Sequence, residues 1–521
     1  MANPIKQLAG ETAVYGLSTI LARIINFLFV PFYTRLLTTE SYGVVAEFMA
    51  YIAVLQVVLV LGMETGCFRF ANKENANPKV VYSNALALVS GVSMAFLALM
   101  VAFSGTFSAW LGYAGYESCI IYMGGILAMD SVTAILFAKL RQEHKAFRFA
   151  ALKTVKIITE TAVNILLFFP FVSFCAGKAS AAGVPVECLG PDDVWLLHFV
   201  SPAPDFSYVI FAIFVSCLVC MLLFVPSLLK FSFEFDGKLL RQMLLYSVPL
   251  MVAALPGVVN DFLDRILFRF FDTSADAWRS SVGIYQAAVK LSVIMSLFIQ
   301  MFRFAAEPFF FQRARDKGSK ELYAKVMEYF TAFCGLVFLG VILYIDVISL
   351  VLGKDFREGI GIVPIMLLSY MLLGMLFNVS MWYKLSGKTS MAIYITVAGL
   401  AVTAVVNIVF MPLYSYWAAA AAHLASYAVM FVISAALGQR HYPIPYRWGR
   451  ISFIFIGMGI FYALSLVAAR HLFIGADFAD GLCAMVLKLA FNTLLVVAYC
   501  AYSYFLLKPG GRLQAPGHDK K

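Results

Sequence analysis

Charge is scarce in this chain. Only 13% of its 521 residues are Asp, Glu, Lys or Arg, against 62% hydrophobic ones, and its mean hydropathy is +0.86. Soluble globular chains carry roughly twice that charged fraction, so a soluble fold is excluded. The six histidines are scattered, and His423, in an alanine-rich stretch, reads as packed or water-bonded rather than as a ligand. Cys217 and Cys220 form a CxxC inside an apolar run with no second pair, so no metal site is expected there. There is no Walker loop, GxGxxG, HExxH or GxSxG. The one SxxK match, Ser227 to Lys230, falls where an apolar run meets its basic flank and reads as chance. ATP hydrolysis is therefore not expected, no cofactor is implied, and the chain does not read as an enzyme. Strict apolar/polar alternation is missing too, which argues against a β-barrel.

What the sequence does have is a long series of apolar segments of about 20 residues, each long enough to cross a bilayer as a helix. The first six run Val14 to Tyr33, Gly43 to Gly62, Val80 to Phe103, Ile120 to Ala138, Ile157 to Phe174 and Tyr208 to Leu228. Met243 to Leu263, Val282 to Phe302, Tyr329 to Ile348, Ile360 to Tyr383, Met391 to Met411 and Tyr416 to Leu437 make the next six. Ile451 to Ala469 and Cys483 to Leu507 complete about fourteen spans, the fold class being an all-α polytopic membrane protein. Arg23 and Asp261 interrupt the first and seventh, and Pro249 and Pro256 fall within the seventh. Alternate loops carry most of the Lys and Arg, for example Lys139, Arg141, Lys145 and Arg148, which places both termini on the cytoplasmic side. The net charge of +10 is then a topological bias facing anionic headgroups, not a nucleic-acid footprint. No cleavage site follows the first segment, which reads as a retained helix. Cys175 and Cys188 share the longest outer loop, where they could pair or stay free.

An internal duplication organises the chain. Thr34-Arg35-Leu36-Leu37 and Tyr42-Gly43-Val44 are answered by Asp264-Arg265-Ile266-Leu267 and Val282-Gly283-Ile284. Glu64-Thr65-Gly66-Cys67-Phe68 is answered by Glu307-Pro308-Phe309-Phe310-Phe311, and Asn164 with Pro170 by Asn407 with Pro412. The expected organisation is an N-terminal six-helix lobe over 1–230, a second over 231–440, and two additional helices with a cytoplasmic tail over 441–521.

Several ionisable residues sit at mid-span, where they are costly unless they face a polar cavity. Arg23, Lys290, Asp130 and Glu160 are the clearest. Ala22-Arg23-Ile24-Ile25-Asn26-Phe27, Pro31-Phe32-Tyr33-Thr34-Arg35, Tyr42-Gly43, Gly62-Met63-Glu64-Thr65 and Phe68-Arg69-Phe70 have a counterpart series in the second half. That series is Asn260-Asp261 with Asp264-Arg265, Gly283-Ile284-Tyr285 with Lys290, and Phe302-Arg303 with Ala306-Glu307-Pro308-Phe309. Together, in order and over essentially the whole chain, these resemble the multidrug/oligosaccharidyl-lipid/polysaccharide exporter superfamily, and within it the polysaccharide transporter (Wzx-type O-antigen flippase) family. The resemblance implies a transporter of the bacterial cytoplasmic membrane whose two lobes enclose a cavity. It would flip a polyprenyl-pyrophosphate-linked oligosaccharide to the outer leaflet for polysaccharide synthesis, alongside a polymerase and a chain-length regulator.

A pyrophosphate needs cations at cavity depth, and Arg23, Lys290, Arg303, Lys153 and Lys156 are the available set, the last two at the start of the fifth span. Lys156 and Glu160 lie four apart and could instead neutralise each other; Lys153 could snorkel to the cytoplasmic surface. Asp130, Glu160 and Asp261 are candidate coupling acids. Glu64 and Glu307 are candidate gate residues, with Arg69, Arg303 or Arg313 as partners or with purely local pairing. Asp264 and Arg265 admit a gating, substrate or structural role. The rivals are a lipid II-type flippase, which differs in the glycan, and a cation-coupled multidrug antiporter, which should favour acids in its cavity. A polymerase or ligase should carry catalytic groups on a large outer loop, and the loop from Cys175 to Ser207 lacks them.

Overall fold

A helix satisfies every backbone N–H and C=O within its own segment, which is what hydrocarbon demands of a spanning element. The computed structural model describes residues 16, 20–21, 23–72, 77–229, 234–272, 277–313, 318–473 and 482–508, with side chains except at 305, 307–308, 311–312 and 482. Among the described residues thirteen helices are long and apolar enough to cross a membrane. They are α1 Thr39–Ala71, α2 Pro78–Ala102, α3 Glu117–Gln142, α4 Ala146–Ala182, α5 Phe206–Leu229, α6 Gly237–Phe271 and α7 Trp278–Phe304. There follow α8 Ser319–Ile342, α9 Lys354–Leu385, α10 Met391–Tyr414, α11 Tyr416–His441, α12 Trp448–His471 and α13 Cys483–Leu507. The expected first span lies partly outside the described residues and ends in a short helix, Val30–Leu36. The chain is thus an all-helical polytopic membrane protein, and spans two to fourteen of the sequence reading correspond to α1–α13. The fifth starts earlier than expected, at Ala146, and the ninth is shifted to begin at Ser319. A polar first turn does not register as membrane-spanning, yet the helix that carries it continues through it.

Local chemistry sets the ends. Thr38 accepts from the Ser41 N–H at 3.1 Å to cap α1, and Asn77 accepts from Lys79 N–H at 3.0 Å just before Pro78 opens α2. Asp236 caps α6 through the N–H groups of Lys238 and Leu239, at 2.9 and 3.2 Å. Its own backbone exchanges two hydrogen bonds with the buried Asn84 amide, fixing the entry of α6 against α2. Within α1 the helix breaks at Leu61 and Gly62, both left-handed, and a Cβ on Gly62 would press on the Ser247 carbonyl.

The chain forms two compact units. One comprises Met1–Ala287, Leu352–Glu358 and Leu400–Ala422; the other comprises Ala288–Val351, Gly359–Gly399 and His423–Lys521. In the first, α3 is the central element, packed along α2, α5 and α1. Its Gly124 and Gly125 lie directly under Met100 and Phe214, the close approach by which membrane helices gain van der Waals contact without a hydrophobic driving force. Two apolar clusters fill this unit, one around Met63, Tyr82, Ile135 and Phe224, the other around Phe48, Ile120, Met123 and Phe206. In the second unit α8 packs on α9, α12 and α13. Gly335 lies under Tyr499, whose hydroxyl donates to the Ala332 carbonyl at 3.1 Å. Asn492 of α13 donates to the Leu343 carbonyl at 2.6 Å and accepts from Ser465 of α12 at 2.8 Å.

Candidate functional site

On a helix turning about 100° per residue, Lys153, Lys156, Glu160 and Asn164 of α4 share one face. Val155, Ile158, Ile165 and Leu166, all exposed, occupy the opposite one. The apolar face suits lipid and turns the charged face into the protein. Lys156 Nζ donates to Asp130 Oδ1 of α3 at 2.6 Å, both side chains being largely but not fully covered. Cys217 of α5 lies beside this pair. Lys153 Nζ stands 4.5 Å from the Phe137 ring centre. Glu160 faces Tyr33, and Asn164 is fully buried, its amide donating to the Glu160 carbonyl at 2.8 Å while Oδ1 has no hydrogen-bond partner among the described residues. Just beyond, α4 widens into a π-turn over Leu167–Phe171, because Pro170 cannot donate into the α ladder. Lys153 and Lys156 therefore lie well inside α4, not at its start as the hydropathy boundary suggested.

A second polar cluster lies on α6. Asp264 is fully buried and Arg265 nearly so. The guanidinium donates to Gln286 Oε1 at 2.9 Å, to the Asp261 carbonyl at 2.7 Å and to Asp264 Oδ1 at 3.1 Å, and sits 5.6 Å from the Tyr285 ring. One turn away Asn260 Oδ1 accepts from Thr403 of α10 at 2.6 Å. Asp261 itself is exposed.

The remaining sequence candidates are dispersed. Arg23 is exposed on the segment before Val30–Leu36. Lys290 is half-buried on α7, and Arg303, at its far end, lies 4.9 Å from the Phe377 ring; both belong to the second unit. Glu64 accepts from Arg141 of α3 at 2.8 Å, which is the local pairing, while Arg69 stacks 4.0 Å over Tyr246. The Glu307 side chain lies outside the described residues, as do the chain termini. Cys175 is buried and Cys188 exposed, and both are free. His423 is buried against Tyr427.

No protein-family model matches the sequence, and no curated protein sequence matches it. Solved structures do. The lipid II flippase MurJ in an inward closed conformation aligns with a TM-score of 0.69 at 14% identity, over 94% of this chain and 98% of that one. The chain has that transporter's fold. A multidrug resistance transporter of the MATE family, of the MOP superfamily, in an inward-facing conformation aligns with a TM-score of 0.57 at 13% identity, over 85% of this chain and 95% of that one.

Some polar groups escaped the sequence reading. Glu47 is fully buried about two turns into α1, accepting from Tyr51 at 2.7 Å and from Tyr113. Glu328 of α8 is paired with Arg450 at 3.3 Å and Arg447 at 3.7 Å. The mid-span rule that found Asp130 passes over Glu47, which lies near the start of the expected span Gly43 to Gly62; nothing in the sequence marks Glu328's partners, more than a hundred residues on. Chemically, the α4 face offers two ammonium groups, the Glu160 carboxylate and an amide at membrane depth, one ammonium already holding the Asp130 carboxylate. That arrangement can bind an anion by exchange.

Proposed function

We propose that this protein is a flippase that carries a polyprenyl-pyrophosphate-linked oligosaccharide from the inner to the outer leaflet of the bacterial cytoplasmic membrane, by alternating access of its two sequence repeats. The observation that carries the reading is the charged face of α4, set opposite a lipid-suited face, in a chain with the fold of a lipid II flippase. A diphosphate between a polyprenol and a glycan requires cations at depth while the tail stays in hydrocarbon. Lys153 and Lys156 supply such cations, with Arg23 and Lys290 at mid-span. Both termini would lie in the cytoplasm, with the lobes 1–230 and 231–440 and the helices 441–521 as the working parts. A polymerase and a chain-length regulator would take the product onward.

A lipid II-type substrate is the second reading, favoured by the higher structural similarity to the lipid II flippase than to the multidrug transporter. It has the same diphosphate and polyprenyl chemistry and differs in the sugar. To test the cation requirement, Arg23→Ala and Lys290→Ala are introduced separately into a strain deleted for the gene. Each should cut surface glycan export about tenfold or more at unchanged membrane level, with Arg23→Lys restoring only part, because a point charge lacks the guanidinium fork. Full complementation by both alanine variants would refute the binding role.

A further inference from the structure

The two sequence repeats approach to backbone distance at a pair of equivalent glycines. A Cβ on Gly43 would overlap the Arg279 carbonyl, and a Cβ on Gly283 would overlap the Thr39 carbonyl. The same offset of 240 residues separates Thr39 from Arg279 and Gly43 from Gly283, so each repeat presents the same position to the other, as in an isologous interface. Thr39 Oγ1 and Ser280 Oγ hydrogen-bond across it. Beside it, Gly353 N–H donates to Thr34 Oγ1 at 3.1 Å, and a Cβ on Gly353 would overlap the Thr34 carbonyl.

Two arginines tie the neighbouring loop to the same place. Arg279 donates to the Gly112 carbonyl at 3.0 Å and lies 3.7 Å from Glu40, and Arg269 donates to the Trp110 carbonyl. Gly112 is itself fixed to the first repeat, because the next residue, Tyr113, donates to the buried Glu47 of α1. The contact itself is main chain and a small hydroxyl, flanked by the half-buried Arg279 and by the Tyr42 and Phe356 rings, edge-on at 5.5 Å between centroids. The Arg279–Glu40 pair is open to water on the Glu40 side, and pairs so solvated are individually weak.

We infer that this glycine contact with its arginine clasp is the closure of the outer end of the transporter, made and broken once per transport cycle. The inference rests on the flippase reading for its direction, since the Lys and Arg bias assigns this end to the outside. Small residues are required because the repeats must approach to backbone distance. The arginines set how long the closed state lasts, since each bonds a carbonyl that water can replace.

The test uses the full chain with its native cysteines replaced, reconstituted in vesicles. Thr39→Cys with Ser280→Cys should crosslink on oxidation, lower transfer of a polyprenyl-diphosphate glycan about tenfold, and recover on reduction. Adding Gly43→Ala or Gly283→Ala should slow the crosslink about fivefold, whereas Gly91→Ala, whose Cβ meets nothing, should not. A substrate-free measurement accompanies it: spin labels at the exposed Leu36 and Phe270 should give a short and a long separation. Arg269→Gln with Arg279→Gln, which leaves the glycines untouched, should shift the population toward the long one. A single separation unchanged in every variant, or an oxidised pair that transports at the reduced pair's rate, would show a static joint and overturn the closure. If the separations respond but no glycan lipid is moved, the closure stands and the substrate reading falls.

Discussion

At the residue scale, the Lys156–Asp130 pair is the sharpest feature of the site. Two charges 2.6 Å apart at membrane depth are each tolerable because of the other, and under the proposed function an incoming diphosphate would compete with the carboxylate for the ammonium. Lys156→Met leaves Asp130 an intramembrane anion and should destabilise the protein by about 1–3 kcal/mol as well as weaken anion binding. Asp130→Asn keeps a hydrogen-bonding acceptor and removes the competitor. It should bind a soluble polyprenyl-diphosphate analogue more tightly than the wild type yet release it more slowly, lowering turnover. Calorimetric titration in detergent, together with the melting temperature of each variant, checks both. Weaker binding in Asp130→Asn would mean that the pair is a structural strut.

Among the helices, the sequence made some things legible and hid others for physical reasons. Hydrophobic length gave the existence of α1–α13, because the bilayer enforces it on each segment separately. The starts of α4 and α8 were misplaced, because Lys153, Lys156 and Glu321 are ordinary helix residues in turns too polar to read as buried. The charges at Asp130 and Glu160 were legible as expensive at depth. Their pairing was not, since Lys156 chose Asp130 on another helix over Glu160 one turn along its own. Likewise Glu64 was readable as a helix-end acid, while its bond to Arg141 depends on how α1 and α3 pack. In the second unit the buried Glu328 holds Arg450 and lies near Arg447 at the start of α12. Glu328→Gln keeps the shape and deletes the charge. It should lower the melting temperature by several degrees, equivalent to about 1–3 kcal/mol, and expose sites between α11 and α12 to protease. An unchanged melting temperature and cleavage pattern would assign the docking of α12 to apolar contact alone.

At the scale of the whole molecule, the duplication noted in the sequence acquires a physical meaning at Gly43 and Gly283, where equivalent positions of the two repeats touch. The fold is shared over nearly the full length of a lipid II flippase, and a charged helix face turned inward is what the proposed function draws on. The central claim is that the substrate is a lipid-linked diphosphate glycan. Purified protein in vesicles holding a fluorescent polyprenyl-diphosphate oligosaccharide in both leaflets tests it directly. Exchange is followed by the fraction of label quenched by membrane-impermeant dithionite. The account predicts that quenching rises from about half to near completion in protein-containing vesicles alone. The same reconstitution should move a cationic dye poorly. Quenching that stays at half while the cationic dye is transported would contradict the account and make the protein a multidrug transporter.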